Sequence, residues 1–392
     1  MNSTPTPLEL LAAMAVRRST ITLGVPRSAS PGERRFPLTP ECAAILASRG
    51  IQVLIEAGAA ACIHFPDEAY IRAGARVVDR RTAFAADIVL HLPAISADDA
   101  LLLRQGAMLI GLFHPERQTP AAIATLLRRH VIAIALDLIT DAVGNRPFAD
   151  ILAEIDGRAA MALASSMLAD PIHGKGILAG GIAGVVPCEV TIIGSGIAAQ
   201  AAARSAIGLG ATVRIFDNDT YRLRSAVNAL GTGAVISSAI HPRVFASALR
   251  SADIVIATPI DPATRRDDID PELLKRGVIT FDLCGNPDAP AFPGLRRVDL
   301  ASATAADNDP DAPVRTCYVN AGSAVPRTAA MALSTSLLTL FDQIVNPDTG
   351  AVNLPESITC AVYTFMGRPV NQQIADLAGL RVIDINILLN LS

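Results

Sequence analysis

Short runs of Val, Ile and Leu alternate with longer alanine-rich segments along most of the chain. Strands of a parallel sheet are buried on both faces and read as continuous apolar runs, and the connection between two of them needs a helix-length crossover. The alternation therefore predicts βα units arranged as two doubly wound α/β domains. The predicted strands are 21–25, 52–55, 88–90, 108–112, 131–135, 190–193, 213–216, 254–257 and 278–282. The predicted helices are 40–48, 67–73, 120–129, 149–169, 200–209, 328–344 and 371–378.

The pattern is interrupted at recognisable places. Thr39 followed by Pro40 favours a helix start, because threonine caps a free amide and proline fits the first turn. Residues 174–184 are rich in glycine, which predicts close backbone approach or irregular structure. Residues 301–313 are polar and contain prolines, and we expect an exposed loop there.

The composition is that of an ordinary globular protein. A length of 392 residues fits two domains, and 51% hydrophobic with 18% charged residues excludes intrinsic disorder. No uncharged apolar run approaches the roughly 20 residues of a membrane-spanning helix. Residues 1–20 place their arginines after a short apolar piece, which is the reverse of a secretory signal. We expect a soluble, cytoplasmic protein with a short N-terminal extension at 1–20.

The net charge and the cysteine spacing limit which classes of ligand and partner the protein is expected to bind. The formal net charge of −4 and a pI near 5.9 argue against a nucleic-acid partner. The arginine pairs at 17–18, 80–81 and 265–266 are scattered, which favours solvated surface positions. Six cysteines without a CxxC spacing indicate neither a disulfide framework nor a zinc site, and we predict no metal.

The most specific local signal is a glycine fingerprint, Gly194-Ser-Gly196-Ile-Ala-Ala199, between an apolar strand and an alanine-rich helix. The first glycine permits the tight turn, the second lets the backbone approach a pyrophosphate, and the small third residue keeps helix and strand close. The helix N-terminus then offers N–H donors and a positive dipole to phosphates. The predicted dinucleotide-binding residues are Gly194, Ser195, Gly196, Ile197, Ala198, Ala199, Asp217 and Asn218.

The expected cofactor preference depends on Asp217, at the end of the next predicted strand. An acidic side chain there accepts hydrogen bonds from the adenosine ribose and repels a 2′-phosphate, which favours NAD(H) and makes NADP(H) the less favoured cofactor. Arg222 and Arg224 leave an alternative open. One interpretation brings them to a 2′-phosphate, and the other, which we favour, leaves them on a helix surface.

Further segments occur in a fixed order around the fingerprint. They are Gly24-Val-Pro26, Glu33-Arg-Arg35-Phe-Pro-Leu-Thr39-Pro40, Ile55-Glu-Ala-Gly58, Ala73-Gly74-Ala75, Glu154-Ile-Asp-Gly157-Arg158, Gly174-Lys-Gly176, Gly180-Gly181, Val319-Asn320 and Val325-Pro326-Arg327-Thr328. This order, with the fingerprint mid-chain behind a complete βα domain, resembles the alanine dehydrogenase / NAD(P) transhydrogenase alpha-subunit superfamily. The resemblance covers nearly the whole chain from Ile21 and is closer to the dehydrogenase branch.

The resemblance implies two Rossmann-like domains with a cleft between them, the second inserted in the first. We predict a discontinuous substrate domain at 21–147 and 328–392, and an NAD(H)-binding domain at 148–327. Alanine dehydrogenases interconvert an amino acid and a 2-oxo acid plus ammonia by hydride transfer, whereas the transhydrogenase subunit passes hydride to a nucleotide on a partner protein. The resemblance also implies a homo-oligomer, dimer or hexamer, that acts on a small carboxylated substrate.

Three residues match functional positions of the family. Arg35 matches the arginine that binds the substrate carboxylate, and a guanidinium fork suits a planar carboxylate. His114 follows a predicted strand and matches the acid–base histidine, at the strand end where ligands of α/β sheets gather. Asn320 lies in the segment that closes the active site, and we predict that it binds substrate. On the residues alone, a surface charge beside Glu33 and Arg34 is the favoured interpretation of Arg35, and a histidine that caps a strand end is the alternative for His114.

The sequence departs from the dehydrogenases at two positions. Pro93 stands where they carry a lysine that orients and polarises the substrate, and a proline side chain carries no charge. Asn286 stands where they carry a catalytic aspartate, and an amide orients a substrate without taking up a proton. His91, two residues before Pro93, could take the role of the missing lysine, and the alternative is a structural histidine. Asp288 could take the role of the missing aspartate.

The altered site predicts an NAD(H)-dependent oxidoreductase of the alanine dehydrogenase type, and not an ordinary alanine dehydrogenase. Hydride would pass to or from an amino-acid-derived imine or a related carboxylated substrate, in secondary metabolism. The transhydrogenase branch fits no better, since only Arg146 resembles its mobile loop. The alternatives are a catalytically silent NAD(H)-binding partner or sensor protein, and a redox-neutral NAD-dependent cyclodeaminase.

Overall fold

The computed structural model describes residues 21–231, 233, 235–260, 269–285, 289–302, 316–345 and 354–390. The chain divides into two compact units. The first unit contains residues 21–27 and 37–144 and the described residues from 333 onward, and the second contains 28–36 and the described residues from 145 to 332. The predicted extension at 1–20 and most of the predicted loop at 301–313 lie outside the described residues. In the part of the chain that the structure describes, no helix is both long and apolar enough to span a bilayer.

The strands are, in chain order, β1 (Thr22–Val25), β2 (Gln52–Glu56), β3 (Arg76–Val78), β4 (Ile88–Leu90), β5 (Met108–Gly111), β6 (Ile132–Ala135), β7 (Glu189–Ile193), β8 (Thr212–Phe216), β9 (Val235–Ser238), β10 (Ile254–Ala257), β11 (Ile279–Asp282), β12 (Arg296–Asp299), β13 (Thr316–Val319), β14 (Val362–Phe365) and β15 (Arg368–Pro369). The α-helices are α1 (Pro40–Ser48), α2 (Asp67–Arg72), α3 (Arg80–Phe84), α4 (Ala97–Leu102), α5 (Pro120–Arg128), α6 (Pro147–Ala169), α7 (Ile197–Gly208), α8 (Thr220–Leu230), α9 (Pro242–Ser251), α10 (Pro326–Ile344), α11 (Glu356–Thr359), α12 (Gln372–Ala378) and α13 (Ile385–Leu389).

The sheet of the first unit has the strand order β15–β14–β6–β5–β4–β1–β2–β3. Strands β1 to β6 pair in parallel, and the β14–β15 hairpin adds to β6 in antiparallel fashion. The order reverses between β1 and β4, and the carboxyl ends of strands at such a reversal are where open α/β sheets bind ligands. His91 follows β4 directly, so this predicted site residue lies at the reversal.

The sheet of the second unit has the order β12–β13–β11–β10–β7–β8–β9, and its described strands all pair in parallel. Its order reverses between β7 and β10. Neighbouring residues of β7 enter different cores: Ile192 packs with α6 and α7, and Ile193 packs with α9. Burial on both faces explains why these strands are continuous apolar runs in the sequence.

The structure confirms the α/β fold class, and α1, β4 and β10 have the predicted bounds. The predicted cap on α1 is present, with the Thr39 hydroxyl accepting the N–H of Cys42 at 3.5 Å. The pattern gave no indication of β3, β9, β12, β13, the β14–β15 hairpin or helices α3, α4, α8, α9, α11 and α13. Most of these elements are short, and β9 also carries polar, partly exposed residues, so their apolar periodicity is weak.

The segment 28–36 differs from the predicted domain bounds, since it belongs to the second unit. Its contacts explain this placement. The backbone N–H of Arg34 donates to Ser323 Oγ at 3.0 Å, and that hydroxyl lies 3.1 Å from Glu33 Oε1. Arg35, which lies in this segment, is therefore part of the second unit.

Candidate active site

Gly194 and Gly196 shape the turn between β7 and α7. Gly194 has a φ of +99°, and a Cβ added there would lie 2.3 Å from Oγ1 of Thr258, which follows β10. A Cβ added at Gly196 would meet no atom of the described residues within 4 Å, so the space before the helix N-terminus is open. The first N–H groups of α7 have no acceptor inside the helix. This turn fits the pyrophosphate of a dinucleotide, with Gly194 to Ala199 as its backbone cradle.

Asp217 is buried just after β8, beside this turn. Its Oδ2 accepts a hydrogen bond from Ser195 Oγ at 2.6 Å, and its Oδ1 accepts the N–H of Asp219 at 2.9 Å. An ionised carboxylate has about four lone-pair sites, so it can still accept ribose hydroxyls. Asn218 is exposed, and its Oδ1 accepts the N–H of Ile240 at 3.1 Å. The structure thus brings Asp217 to the fingerprint and gives the Asn218 side chain a loop contact.

Arg222 and Arg224 both lie on the exposed side of α8. Arg222 Nε is 3.8 Å from Asp219 Oδ2, and the Arg224 guanidinium lies 5.7 Å from the Tyr221 ring centroid. These contacts favour the interpretation that the two arginines are helix-surface charges.

Helices α6 and α7 cross at very short range where α7 begins. A Cβ added at Gly157 would lie 2.1 Å from the carbonyl oxygen of Ala198 and 3.0 Å from the nitrogen of Ala202. The absence of a side chain at Gly157 therefore allows α6 to rest on the first turn of the fingerprint helix. Asp156, the preceding residue of α6, is consequently placed near the cofactor turn.

Arg35 is engaged by a carboxylate of its own segment. Its Nε donates to Glu33 Oε1 at 2.8 Å, and its Nη2 pairs with Glu33 Oε2. Only 11% of the Arg35 side chain and 10% of the Glu33 side chain are exposed. Burial by itself would raise the pKa of Glu33, but the charge and hydrogen bonds of Arg35 outweigh it and hold that pKa below its usual value. The predicted carboxylate-binding arginine is thus fixed by Glu33 on one of its edges.

Asp156 is a second carboxyl group near Arg35, and sequence reasoning did not single it out. Its Oδ1 accepts the N–H of Gly322 at 2.8 Å. Burial raises the pKa of Asp156, the nearby positive charge of Arg35 and the Gly322 N–H oppose the rise, and the charge of Glu33 adds to it. In the sequence, the only signal for Asp156 was its place in the Glu154–Arg158 segment. Its contact with Gly322 could not be predicted, because that contact depends on the fold.

Asn320 has a left-handed backbone, with φ of +62°, and begins the short 3₁₀ turn Ala321–Ala324. Its amide nitrogen donates to the carbonyl of Gly32 and to Asp299 Oδ1, the latter at 3.2 Å. Ser323 is buried and contacts Glu33, as described above. Within the second unit, Asn320 and Ser323 therefore hold the segment that carries Arg35, and the Asn320 amide nitrogen is used in that contact.

His91 lies in the first unit and is buried, with 4% of its surface exposed. Its ring meets Phe84 edge-on with 5.4 Å between ring centroids, and its backbone N–H donates to the carbonyl of Ile110 at 2.9 Å. A Cβ added at Gly111 would lie 1.9 Å from the His91 carbonyl oxygen, so glycine permits this close strand contact. The packing favours the structural interpretation of His91.

His114 lies in the first unit, beyond the end of the neighbouring strand β5, and about a third of its side chain is exposed. It has φ of +41° and precedes the 3₁₀ turn Pro115–Arg117. Its Nδ1 lies 3.4 Å from Glu116 Oε1. β5 ends at Gly111, so His114 stands on the turn after the strand, at a position where an imidazole is accessible.

Arg80, predicted as solvated surface, instead joins a charged cluster in the first unit. Its guanidinium bonds Asp99 through Nε at 2.9 Å and Nη2 at 2.8 Å, and its Nη1 lies 3.1 Å from Glu56 Oε2. It also lies 5.0 Å from the Phe84 ring centroid, and Phe84 contacts His91. The surface prediction for Arg80 is wrong because Glu56 and Asp99, distant in sequence, meet it at the carboxyl edge of the sheet.

Asp282 ends β11 and organises the loop that follows. Its Oδ1 accepts the N–H of Cys284 and its Oδ2 accepts the N–H of Ala291, both at 2.9 Å. Asn286 and Asp288, which this loop carries, lie outside the described residues. The structure thus shows how the two ends of the loop are held by one buried carboxylate.

Comparison with known proteins agrees with this architecture. The model of the alanine dehydrogenase/PNT N-terminal domain matches residues 24–155, and that of the C-terminal domain matches residues 160–277. The alanine dehydrogenase of Geobacillus stearothermophilus is 28% identical over 384 residues, which cover 94% of this chain and 99% of that protein.

Two solved structures have the same fold. An L-alanine dehydrogenase superposes with a TM-score of 0.76 at 24% identity, covering 91% of this chain and 99% of that one. A transhydrogenase from Sinorhizobium meliloti superposes with a TM-score of 0.71 at 23% identity, covering 90% and 99%. Both domain models of the family match this chain in order, and a relative is matched over nearly its full length. The chain therefore belongs to the alanine dehydrogenase/PNT family.

Proposed function

We propose that this protein is an NAD(H)-dependent dehydrogenase that transfers hydride to or from an amino-acid-derived imine or a related carboxylated substrate. The observation that carries the proposal is an intact dinucleotide turn with the buried acceptor Asp217, in a chain that has Pro93 and Asn286 at the two altered positions. The relatives are named alanine dehydrogenases, so ordinary alanine oxidation is the first competing outcome to test.

The proposed roles follow from the chemistry of each residue. NAD(H), when bound, supplies the hydride acceptor or donor. Arg35 binds the substrate carboxylate through the guanidinium N–H groups that Glu33 leaves available. His114 moves the proton that must reach or leave the substrate heteroatom. Pro93 contributes no proton donor, and Asn286 contributes at most an orienting hydrogen bond.

Imine chemistry is favoured over amination of a free oxo acid. Amination from an oxo acid first requires loss of water from a carbinolamine, a step that depends on general acid–base groups worth about 10²–10⁴-fold each. Hydride transfer to a preformed iminium depends mainly on how substrate and cofactor are positioned. A site without the lysine and the aspartate but with its cofactor turn is better suited to the second step.

Steady-state assays of NADH oxidation test the proposal directly. The panel contains 2-oxo acids with ammonium, the same acids with primary amines that form imines in solution, and cyclic imino acids. We expect turnover with imines and little NADH formation from L-alanine plus NAD. Robust alanine oxidation by the unaltered protein would establish an ordinary alanine dehydrogenase instead.

The same assays separate the other candidates. NADH binding by fluorescence titration without turnover on any substrate would indicate a silent partner or sensor. Product formation without net change in NADH would indicate a cyclodeaminase. The double substitution Pro93→Lys with Asn286→Asp is the constructive control, because it restores both missing groups together and should raise alanine oxidation if the two positions are correctly aligned.

We also propose that the protein is a homo-oligomer, dimer or hexamer. The support is a run of exposed apolar side chains between 172 and 186 of the second unit: Ile172, Leu178, Ile182, Val185 and Val186. Contiguous apolar surface on a globular protein often marks an interface. Light scattering coupled to gel filtration would measure the mass, and a monomer at micromolar concentration would refute this assignment.

A further inference from the structure

The Arg35 guanidinium has a second edge that Glu33 does not use. A guanidinium carries five N–H donors in a planar fork, and Glu33 takes the edge formed by Nε and Nη2. Nη1 makes no hydrogen bond with any residue that the structure describes. The edge formed by Nη1 and Nη2 can therefore receive a second carboxylate while Glu33 keeps the plane of the guanidinium fixed.

Asp156 has a comparable unused group. Gly322 donates to Oδ1 at 2.8 Å, and in the described part of the chain Oδ2 accepts no hydrogen bond. The residue is half-buried, so part of its surface remains accessible. Gly322 precedes Ser323, whose hydroxyl lies 3.1 Å from Glu33, so the two carboxylates are held by one short segment. Asp156 is also close enough to Arg35 for each charge to act on the pKa of the other.

Charge balance indicates what this cluster can bind. Glu33, Arg35 and Asp156 together carry one positive and two negative charges when the carboxyl groups are ionised. A second carboxylate on Arg35 would leave three negative charges against one positive charge, which is costly away from water. A ligand that brings a cationic nitrogen with its carboxylate keeps the net charge of the cluster at −1, its value without a ligand.

The cluster also stands beside the cofactor turn. Gly157, next to Asp156, lies against Ala198 in the first turn of α7, and all of these residues belong to the second unit. A ligand held by Asp156 would therefore be near the nucleotide, which is where a hydride acceptor or donor must be.

We propose that Asp156 binds the nitrogen-bearing end of the substrate, while the free edge of Arg35 binds its carboxylate and Glu33 with Ser323 position that arginine. This assignment deepens the proposed function and rests on it for the reaction, although not for the binding. It supplies a carboxylate from α6 in a chain that has Asn286 where the dehydrogenases carry an aspartate.

The test is a binding experiment on the complete protein with cofactor. L-Amino acids are screened with saturating NADH by thermal shift, and the tightest is titrated by calorimetry. Its 2-oxo acid, with NAD, serves as the ligand without nitrogen. Asp156→Asn keeps the size and the acceptor for Gly322 but removes the charge. We expect Asp156→Asn to lower the affinity for the amino acid by about tenfold to a hundredfold, the usual effect of losing a hydrogen bond to a charged group. The affinity for the oxo acid should stay unchanged or rise.

Glu154→Gln is the matched control, because it also turns a carboxylate of α6 into an amide. Glu154 is half-exposed and pairs with Arg158 at 2.7 Å, so its substitution should change the affinity for neither the amino acid nor the oxo acid. Equal weakening of amino acid and oxo acid by Asp156→Asn would show a structural role and overturn the proposal, as would failure of every amino acid to bind the unaltered protein. Selective weakening in a protein without turnover would support the binding site while refuting the dehydrogenase function.

Discussion

Replacing Gly157 with alanine should push apart the two helices that carry the cofactor turn. The added Cβ would lie 2.1 Å from the Ala198 carbonyl oxygen, so reaching the 3.4 Å of an ordinary contact requires a displacement of about 1.3 Å. The obstacle is backbone and cannot rotate away. Overpacking of a tight contact costs about 1–3 kcal/mol, and alanine regains up to about 1 kcal/mol of helix propensity. We expect a net loss of about 1–2 kcal/mol in the free energy of unfolding.

The same displacement should weaken cofactor binding, since Ala198 belongs to the first turn of α7. A shift of about 1 Å in a preorganised site commonly costs about 10²-fold in function. Urea unfolding followed by circular dichroism gives the stability, and NADH fluorescence titration gives the affinity of each variant.

Gly208→Ala is the matched control on the same helix pair. Gly208 ends α7, and a Cβ added there would meet no described atom within 4 Å, so alanine should stabilise the helix by up to about 1 kcal/mol. The two glycines therefore respond with opposite signs. If Gly157→Ala is as stable as Gly208→Ala and binds NADH normally, the close helix crossing is not what positions the turn.

Three further substitutions test single residues. Asp217→Ser should raise the use of NADP(H) relative to NAD(H), because it removes the ribose acceptor; equal use of both cofactors by the unaltered protein would contradict this role. His114→Gln should lower turnover by about 10²-fold or more with NADH affinity unchanged, and an unaltered rate on every substrate would remove His114 from the mechanism. Glu33→Gln should cost about 3 kcal/mol at neutral pH by leaving the Arg35 charge poorly compensated. The folded-state pKa of Glu33 is lowered from 4.5, so ionised Glu33 stabilises the folded protein above that pH. This stabilisation is lost as the pH falls through the lower folded-state pKa. The Glu33→Gln variant should therefore lack the loss of stability that protonation of Glu33 causes in acid.

Much of the fold could be predicted because its signals are local. Strands buried on both faces are apolar throughout, and the fingerprint requires Gly194 for its positive φ and Gly196 for its open approach, whatever the rest of the chain does. Asp217 could be predicted for a related reason, since the length of one βα unit brings the end of β8 beside the turn. Edge elements such as β9 could not, because exposed and polar residues leave no apolar period.

The sequence by itself thus determined the two α/β units, the cofactor turn and the residues Arg35 and His114 as candidates. Only the tertiary structure decided which carboxylates from distant segments approach these arginines: Asp156 at Arg35, and Glu56 and Asp99 at Arg80. The physical reason is that a backbone conformation follows from neighbouring residues, whereas an ion pair depends on where distant segments are placed. Asp156 shows the difference most clearly. Its partner Gly322 follows 166 residues later in the chain, after the strands of the nucleotide-binding sheet.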